Sequence, residues 1–240
     1  MRRWLHSQLP IPRGGRVADL GCGAGDDLGT LATTNPQATS FVGVDRGEDW
    51  IHRAREETVD PRITYLAADV TERLPFEDAS LDAVYSVNLL ECLPDPGAFL
   101  KECARIVRPG GSVLVAHWDW DTQTFDGRDQ ALVRRLVHAF NDWQQDWMAA
   151  VDPWMGRRLR RLIAESGAFE GEILARTLLD TLYAPGSYGY EQVQAFGALA
   201  RRGLVVRDEY ETFRREQETL AAEGAFFYSV TMFAFAGRRV

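Results

Sequence analysis

Three glycines alternate with other residues directly after a short apolar run, and this segment carries the most specific chemistry in the chain. The run Val17–Leu20 leads into Gly21, Gly23 and Gly25. Glycine tolerates a positive φ angle and leaves the backbone bare, so a ligand can approach it closely beside the positive N-terminus of the helix that follows. The spacing therefore predicts a small-molecule site at the end of a buried strand.

The residues after the glycines indicate which ligand this is. A dinucleotide-binding loop has a small residue three positions after its second glycine, and here that position is Asp26, followed by Asp27. Two carboxylates would repel a pyrophosphate, although they suit a helix N-terminus. The chain also has no G-x-x-x-x-G-K-[ST] phosphate loop. A nucleoside-bearing ligand with a positive charge and no phosphate fits these residues, and S-adenosylmethionine is such a ligand.

Further motifs follow the glycine loop in a fixed order. Over residues 15–120 the chain resembles the class I S-adenosylmethionine-dependent methyltransferases, and within them the small-molecule branch typified by ubiquinone and menaquinone C-methyltransferases. The motifs that carry the resemblance are the D-x-G-x-G-x-G loop at Asp19–Gly25, then Val42–Asp45, Ala67–Val70, Leu74–Phe76, Asp82–Val84 and Arg108–Gly111.

The resemblance implies a set of donor-binding residues and no metal. The set is Asp19, Gly21, Gly23, Gly25, Asp45, Arg46, Trp50, Asp69, Val70 and Asn88. Asp45 lies twenty residues after Gly25, which places a carboxylate where a ribose diol would lie. Asp69 and the Val70 N–H would face the adenine, and Asn88 the methionine end. Asp19 could instead only cap the loop. The expected product is S-adenosylhomocysteine.

Strands and helices alternate along the first half, which favours right-handed crossovers and a parallel sheet. We predict a seven-stranded, doubly wound, mostly parallel α/β sheet, with the last strand antiparallel. We expect residues 1–240 to form a single domain with a cofactor-binding core at about 15–120, a helical insertion at 123–166, and closing strands and helices at 167–240. The apolar spacing in the insertion predicts one long helix at Asp129–Ala150 and a second at Met155–Glu165.

Residues that follow the fourth and fifth strands are candidates for the methyl-acceptor site, because ligands bind beyond the carboxyl ends of such strands. His117 is the candidate base, since its ordinary pKa lies near neutrality. A structural histidine bonded to a loop is the alternative. The candidates for acceptor binding are Glu91, Trp118 and Asp119, the last two in a predicted turn at Trp118–Thr122, and Trp143 and Trp147 on the long helix. These aromatic residues could equally belong to the core.

The composition and net charge limit the classes of molecule that the protein is expected to bind. The chain has 27 Lys and Arg against 35 Asp and Glu, a net charge of −8, and so lacks the broad positive field of nucleic-acid-binding proteins. Three dispersed cysteines and the absence of a long apolar run predict a cytoplasmic protein with no metal site and no membrane partner. We expect a small-molecule acceptor, aromatic or amine-bearing. An RNA or protein methyltransferase and a non-catalytic cofactor-binding homologue stay open, as do the acceptor atom and the oligomeric state.

Overall fold

The computed structural model describes all residues from 1 to 240. Its seven strands are β1 (Arg16–Leu20), β2 (Ser40–Asp45), β3 (Ile63–Ala67), β4 (Leu81–Val87), β5 (Val107–Phe125), β6 (Phe169–Asp180) and β7 (Tyr228–Arg239). Its eight α-helices are α1 (Arg2–Ser7), α2 (Asp26–Thr34), α3 (Glu48–Glu57), α4 (Pro96–Ile106), α5 (Gln130–Asn141), α6 (Met155–Ser166), α7 (Tyr188–Arg201) and α8 (Arg207–Ala222). A 3-10 helix covers Leu90–Cys92.

The seven strands form one sheet in the order β3-β2-β1-β4-β5-β7-β6. Strands β1 to β5 pair in parallel. Strand β7 lies antiparallel to β5. Two contacts show this direction: the Thr231 N–H donates to Thr122 Oγ1 at 2.8 Å, and the Ser229 hydroxyl lies 2.6 Å from the Thr124 hydroxyl. The prediction of a seven-stranded, mostly parallel sheet is therefore confirmed.

Continuous apolar runs place the central strands inside the molecule. In β1, four consecutive residues from Val17 to Leu20 are buried, and β4 is buried from Ala83 to Ser86. Helix α4 covers this region with Phe99 and Leu100. Its start is fixed by Asp95, whose carboxylate accepts the Ala98 N–H at 2.9 Å. Strands buried in this way hold their carboxyl ends rigidly, where the glycine loop and the candidate residues begin.

The chain divides into two compact units. The first comprises 1–117, 155–174 and 233–240, and the second comprises 118–154 and 175–232. This division differs from the predicted insertion at 123–166, because α6 belongs to the first unit while α7 and α8 belong to the second. Residues at the carboxyl end of β5 thus fall into the second unit.

Two local predictions in this region are wrong. The stretch Trp118–Thr122 is not a turn, because β5 continues without a break to Phe125. The predicted helix at Asp129–Ala150 ends at Asn141 in α5. Trp143 and Trp147 therefore lie in the irregular segment after the helix. The second helix ends as predicted, with Gly167 in the left-handed region at φ 60°.

Every helix of the structure is too short or too polar to cross a lipid bilayer.

Candidate functional site

The glycine loop joins β1 to α2 and is held against β2 by backbone hydrogen bonds. The N–H groups of Gly21 and Cys22 both donate to Val44 O, at 2.8 and 3.1 Å. All three motif glycines have positive φ, at 79°, 51° and 84° for Gly21, Gly23 and Gly25. Other residues adopt this conformation only with strain, so the sequence requirement for glycine is a backbone requirement.

The three glycines differ in what surrounds them. A Cβ added at Gly21 would lie 2.9 Å from Leu89 Cδ1, and one added at Gly25 would overlap the Tyr65 hydroxyl. A Cβ at Gly23 would meet no atom within 4 Å. The loop is therefore closely packed at both ends and open at its middle, where a ligand can approach the backbone.

Asp45 ties the middle of the loop to the end of β2. Its Oδ2 accepts the Gly23 N–H and its Oδ1 accepts the Gly47 N–H, each at 2.9 Å. Arg46 and Trp50 follow it, the Trp50 side chain packing on Gly47 while half of its surface stays exposed. The predicted ribose-binding carboxylate thus stands beside the open position of the glycine loop.

Asp69 and Val70 lie just after β3. The Asp69 carboxylate accepts two bonds from Thr71, from its backbone N–H at 2.9 Å and its hydroxyl at 2.8 Å. These bonds, with a smaller contribution from Arg46, hold the pKa of Asp69 below its usual range. The carboxylate is therefore charged and oriented near neutral pH, as an acceptor for an amino group must be.

Asn88 follows β4 in a left-handed conformation, with φ 58°. Its N–H donates to Ala116 O at 3.0 Å, which fixes the end of β4 against β5. A non-glycine residue in this region is uncommon and is often found at ligand sites.

Asp19 is 2% exposed. Burial, and to a smaller degree the Asp45 charge, raises the pKa of Asp19 to about 7 against the lowering effect of Arg2. Donor binding and capping of the loop both stay predictions for Asp19.

Four residues of this region were missed by sequence reasoning as donor-site candidates. On α1, Arg2 pairs with Asp27 of α2, and His6 Nε2 bonds the same carboxylate at 2.7 Å. The His6 ring lies 5.4 Å from the ring of Tyr85, which stands beside Asp19 in the β1–β4 register. The N-terminal helix therefore packs on the sheet next to the glycine loop.

The candidate base His117 lies at the end of the first unit and is fully buried. Its Nε2 accepts the Glu91 N–H at 3.4 Å, and its Nδ1 lies 3.7 Å from Glu91 Oε2. Structure thus brings together two predicted residues, Glu91 and His117. A ring nitrogen that accepts an N–H bond has no lone pair for a proton, so these contacts favour the structural alternative for His117.

The other predicted acceptor residues lie in the second unit. The Trp118 ring packs 5.3 Å from Tyr188, and Asp119 is fully buried. Trp143 lies under the Arg202 guanidinium at 5.3 Å, and Trp147, 56% exposed, donates to Gln145. Trp143 and Trp147 are not on a helix as predicted, because α5 ends at Asn141. Trp118 is buried, whereas Trp147 is a surface residue.

Comparison with known proteins agrees with this architecture. Residues 18–115 match the Methyltransf_11 family, described as a methyltransferase domain. That stretch runs from β1 to the middle of β5 and contains the glycine loop, Asp45, Asp69 and Asn88. The family thus matches the part of the chain that carries the predicted donor site.

Individual relatives cover similar stretches. The 27-O-demethylrifamycin SV methyltransferase of Amycolatopsis mediterranei is 35% identical over 46% of this chain and 41% of its own length. The 2-methyl-6-phytyl-1,4-hydroquinone methyltransferase of Synechocystis is 35% identical over 45% of this chain and 34% of its own length. The match thus spans less than half of either relative.

Among solved structures, the YcgJ protein of Bacillus subtilis has a TM-score of 0.65 at 14% identity, covering 100% of this chain and 98% of that chain.

Residues 18–115 are thus similar to a methyltransferase domain, and the chain spans less than two thirds of the length of the relatives it matches.

Proposed function

We propose that the protein transfers a methyl group from S-adenosylmethionine to a small-molecule acceptor. The observation that carries this proposal is the open backbone at Gly23, whose N–H is bonded to Asp45 at 2.9 Å. A nucleoside lying on that backbone would have its ribose beside the carboxylate. Both named relatives are methyltransferases of small molecules, which supports the same reading.

The residues present fit this donor. Asp26 and Asp27 stand in the first turn of α2, where they would oppose a pyrophosphate. The same carboxylates, with Asp19 and Asp45, favour a ligand with positive charge. The donor has a sulfonium and an ammonium group and no phosphate, so its charges match the side chains around the loop.

The donor supplies an already activated methyl group when it is bound, so the protein need only bind, orient and desolvate the reactants. Asp45 would accept the ribose hydroxyls, each charged hydrogen bond contributing ~1.5–3 kcal/mol. Asp69, held ionised by Thr71, would accept the adenine amino group, with the Val70 N–H beside it. Asn88 fixes the end of β4, and through it the backbone at the methionine end.

For the acceptor we propose an aromatic or amine-bearing metabolite, and the proposed binding residues of the second unit are Trp118, Asp119, Trp143 and Trp147. Glu91, in the first unit, is a separate candidate. Aromatic side chains bind ring systems by stacking and amines by cation–π contact. The name of the Synechocystis relative contains a hydroquinone, which supports an aromatic acceptor. The quinone-methylating branch of the family is part of the same proposal.

The role of His117 follows from its contacts with Glu91. If His117 acted as a base, its Nε2 would have to exchange the Glu91 N–H for the acceptor proton. We propose instead that His117 positions the 3-10 helix Leu90–Cys92. A role of His117 as a base is the second possibility, and it is tested separately.

A second candidate function is methylation of RNA or protein. The net charge of −8 opposes it, because nucleic-acid binding relies on positive charge. A non-catalytic homologue is the third reading, and the complete glycine loop with Asp45 and Asp69 in place opposes that one.

The proposal is tested by calorimetry and by product detection. S-adenosylhomocysteine at ~100 times its dissociation constant should add ~2.7 kcal/mol to the unfolding free energy. Asp45→Ala should remove most of this gain while the ligand-free variant still folds. Methyl-labelled donor, incubated with a metabolite extract, should give a labelled small molecule in mass spectrometry.

Stabilisation by NAD or ATP, without any by S-adenosylhomocysteine, would contradict the proposal. Label found only in RNA or protein would favour the second candidate function.

A further inference from the structure

Seven aromatic side chains of the second unit contact one another in a closed sequence. Each ring centroid lies 4.7–6.3 Å from the centroids of its two neighbours. We call these residues the aromatic cluster, and in order of contact they are Trp118, Trp120, Phe140, Phe196, Phe125, Tyr228 and Tyr188. Trp120, Phe140 and Tyr188 are half-buried, whereas the other four are buried, so the cluster is accessible at these three rings.

Gln192 lies beside the aromatic cluster with an unpaired amide. It comes four residues after Tyr188 and four before Phe196 on α7, so the three side chains share one face of that helix. Gln192 is 6% exposed, and its Nε2 atom is buried without a hydrogen-bond partner. An N–H donor therefore faces the region of the seven rings.

Other polar groups of this region are paired with one another. The Tyr228 hydroxyl donates to Gln123 Oε1 at 3.1 Å, and Gln123 Nε2 donates to Asn141 Oδ1 at 2.9 Å. Asn141 Nδ2 in turn donates to Asp121 Oδ1 at 2.9 Å. Gln192 is outside this series of hydrogen bonds, so its Nε2 stays available to a ligand.

An unpaired donor at a buried position requires an explanation, because native proteins pair nearly all of their buried polar groups. The other buried positions nearby on α7 include Val193, Phe196 and Leu199, which are apolar. An apolar residue at position 192 would suit the same surroundings and would leave no N–H group unpaired. A ligand that accepts the hydrogen bond from Gln192 explains why glutamine stands there.

We propose that Gln192 is a specificity-determining residue of the acceptor site, and that it selects an aromatic acceptor with a hydroxyl or carbonyl oxygen. This inference rests on the proposed function and decides between the two acceptor classes named there. The aromatic cluster packs against the ring of the acceptor, and the Gln192 amide donates a hydrogen bond to its oxygen.

An amine-bearing acceptor does not fit the same residues. An ammonium group has only N–H donors, so it would leave Gln192 Nε2 unpaired. A site with a buried hydrogen-bonding group binds a ligand that lacks the matching group much more weakly. The aromatic cluster alone would accept either class, by stacking or by cation–π contact, and the amide makes the difference.

Two of the proposed acceptor-binding residues adjoin Gln192 through the aromatic cluster. Trp118 is a member of the cluster, and the Trp143 ring lies 6.4 Å from the ring of Phe140. Gln192 adds a polar contact to these aromatic ones, and sequence reasoning missed it because glutamine has no characteristic spacing.

The test measures the binding of three aromatic probes by calorimetry, to the unaltered protein and to Gln192→Leu. S-adenosylhomocysteine is present throughout at ~100 times its dissociation constant, so that the donor site is filled. Methylhydroquinone carries oxygen, benzylamine carries an ammonium group, and toluene carries neither. Leucine is close to glutamine in size and makes no side-chain hydrogen bond.

The unaltered protein should bind methylhydroquinone about tenfold more tightly than benzylamine or toluene, as expected for a hydrogen bond that satisfies a buried donor. Gln192→Leu should lose this preference and should bind toluene at least as tightly as the unaltered protein does. Without any ligand, Gln192→Leu should unfold at a higher urea concentration, because a buried unpaired group has been removed.

Gln217→Leu is the matched control. Gln217 is fully buried on α8, a helix that carries none of the seven rings, and its Nε2 donates to Asp126 O at 2.9 Å. Gln217→Leu loses this hydrogen bond, so it should unfold at a lower urea concentration. It should keep the preference for methylhydroquinone.

Equal affinities of the unaltered protein for the three probes, or no binding of methylhydroquinone, would overturn the inference. A preference that survives in Gln192→Leu would overturn it as well. Unfolding of Gln192→Leu at a lower urea concentration would show that the amide is needed within the fold and not by a ligand. If S-adenosylhomocysteine did not bind the unaltered protein, the proposed function itself would fail.

Discussion

Replacing Asp19 by asparagine should stabilise the ligand-free protein at pH 8 much more than at pH 5. The pKa of Asp19 is raised from 3.8 to about 7 in the folded protein, mainly by burial. A carboxyl whose folded pKa is raised contributes most to stability below its unfolded pKa. That contribution is lost as the pH rises through the folded value.

The magnitude follows from these two pKa values. Taking 3.8 for the unfolded and about 7 for the folded chain, the raised pKa of Asp19 lowers the unfolding free energy by ~2 kcal/mol at pH 5 and ~4 kcal/mol at pH 8. Asparagine has no such cost at either pH. The stability difference between variant and unaltered protein should therefore grow by ~2–3 kcal/mol from pH 5 to pH 8.

The charged and titratable groups around Asp19 come from several elements. Arg2 on α1 lowers its pKa, and Asp45 on β2 raises it. Tyr85 lies beside Asp19 in the sheet, and the His6 ring packs near the ring of Tyr85. Burial, and to a smaller degree the Asp19 charge, raises the pKa of the Cys22 thiol in the loop. Because the variant and the unaltered protein share these neighbours, the change in their stability difference between pH 5 and pH 8 reports the titration of Asp19.

Urea unfolding at the two pH values measures this difference, and comparing the variant with the unaltered protein cancels every cost that does not depend on pH. Asp60→Asn is the control. The pKa of Asp60 is lowered by Arg62, so Asp60 is ionised in both states over the whole range and its variant should show the same effect at both pH values. A growth of less than ~0.5 kcal/mol for Asp19→Asn, within the usual error of such comparisons, would refute the reasoning.

Two further predictions concern the loop and the candidate base. Gly25→Ala should lower the unfolding free energy, measured in urea, by more than ~1 kcal/mol. The positive φ at residue 25 and the overlap of the added Cβ with Tyr65 both destabilise the variant. An unchanged unfolding free energy would show that the loop backbone can rearrange. His117→Ala should reduce turnover by less than about threefold if His117 only positions Leu90–Cys92, whereas a loss of ~10²–10⁴-fold without a matching loss of donor affinity would establish it as a base.

The central strands could be predicted almost to the residue. The segments Arg16–Leu20 and Leu81–Val87 are mostly apolar and short, and both form strands with the predicted bounds. A strand buried on both faces needs such a run, and few other structures accommodate one of this length. The glycine loop was predictable for the same kind of reason, since three positive φ angles admit little besides glycine.

The second unit was harder to predict because its polar residues are satisfied by distant partners. The neighbours of Asp121 in the sequence predict a turn, but in the fold Asp121 accepts hydrogen bonds from Asn141 and Trp154 and lies in β5. Asn141 also accepts a bond from Gln123 at 2.9 Å, at the residue where α5 ends. The spacing of apolar residues indicates which face of a helix is buried, and it carries no information on such hydrogen bonds. The helix at Asp129–Ala150 was therefore predicted too long.

Helix α1 was missed for a different reason. Its six residues are too few for a periodic signal, and its anchoring contacts join residues 21 and 25 positions apart, His6 and Arg2 with Asp27. In the sequence, Asp27 is explained well enough as a helix N-terminal carboxylate. Only the fold shows that it also fastens α1.

Asp19 links stability to function in this protein. Its neighbours in β1 and β4 suit a buried parallel sheet, since Val17, Ala18, Ala83 and Val84 are fully buried apolar residues. An apolar side chain at Asp19 would suit that sheet better and would avoid an ionisation cost of ~4 kcal/mol at pH 8. Sites that violate the otherwise consistent pattern of a sequence are expected where function requires it. Donor affinity and the stability of the ligand-free protein should therefore change in opposite directions when Asp19 is replaced, because the buried carboxylate that destabilises the empty site is a proposed donor-binding residue.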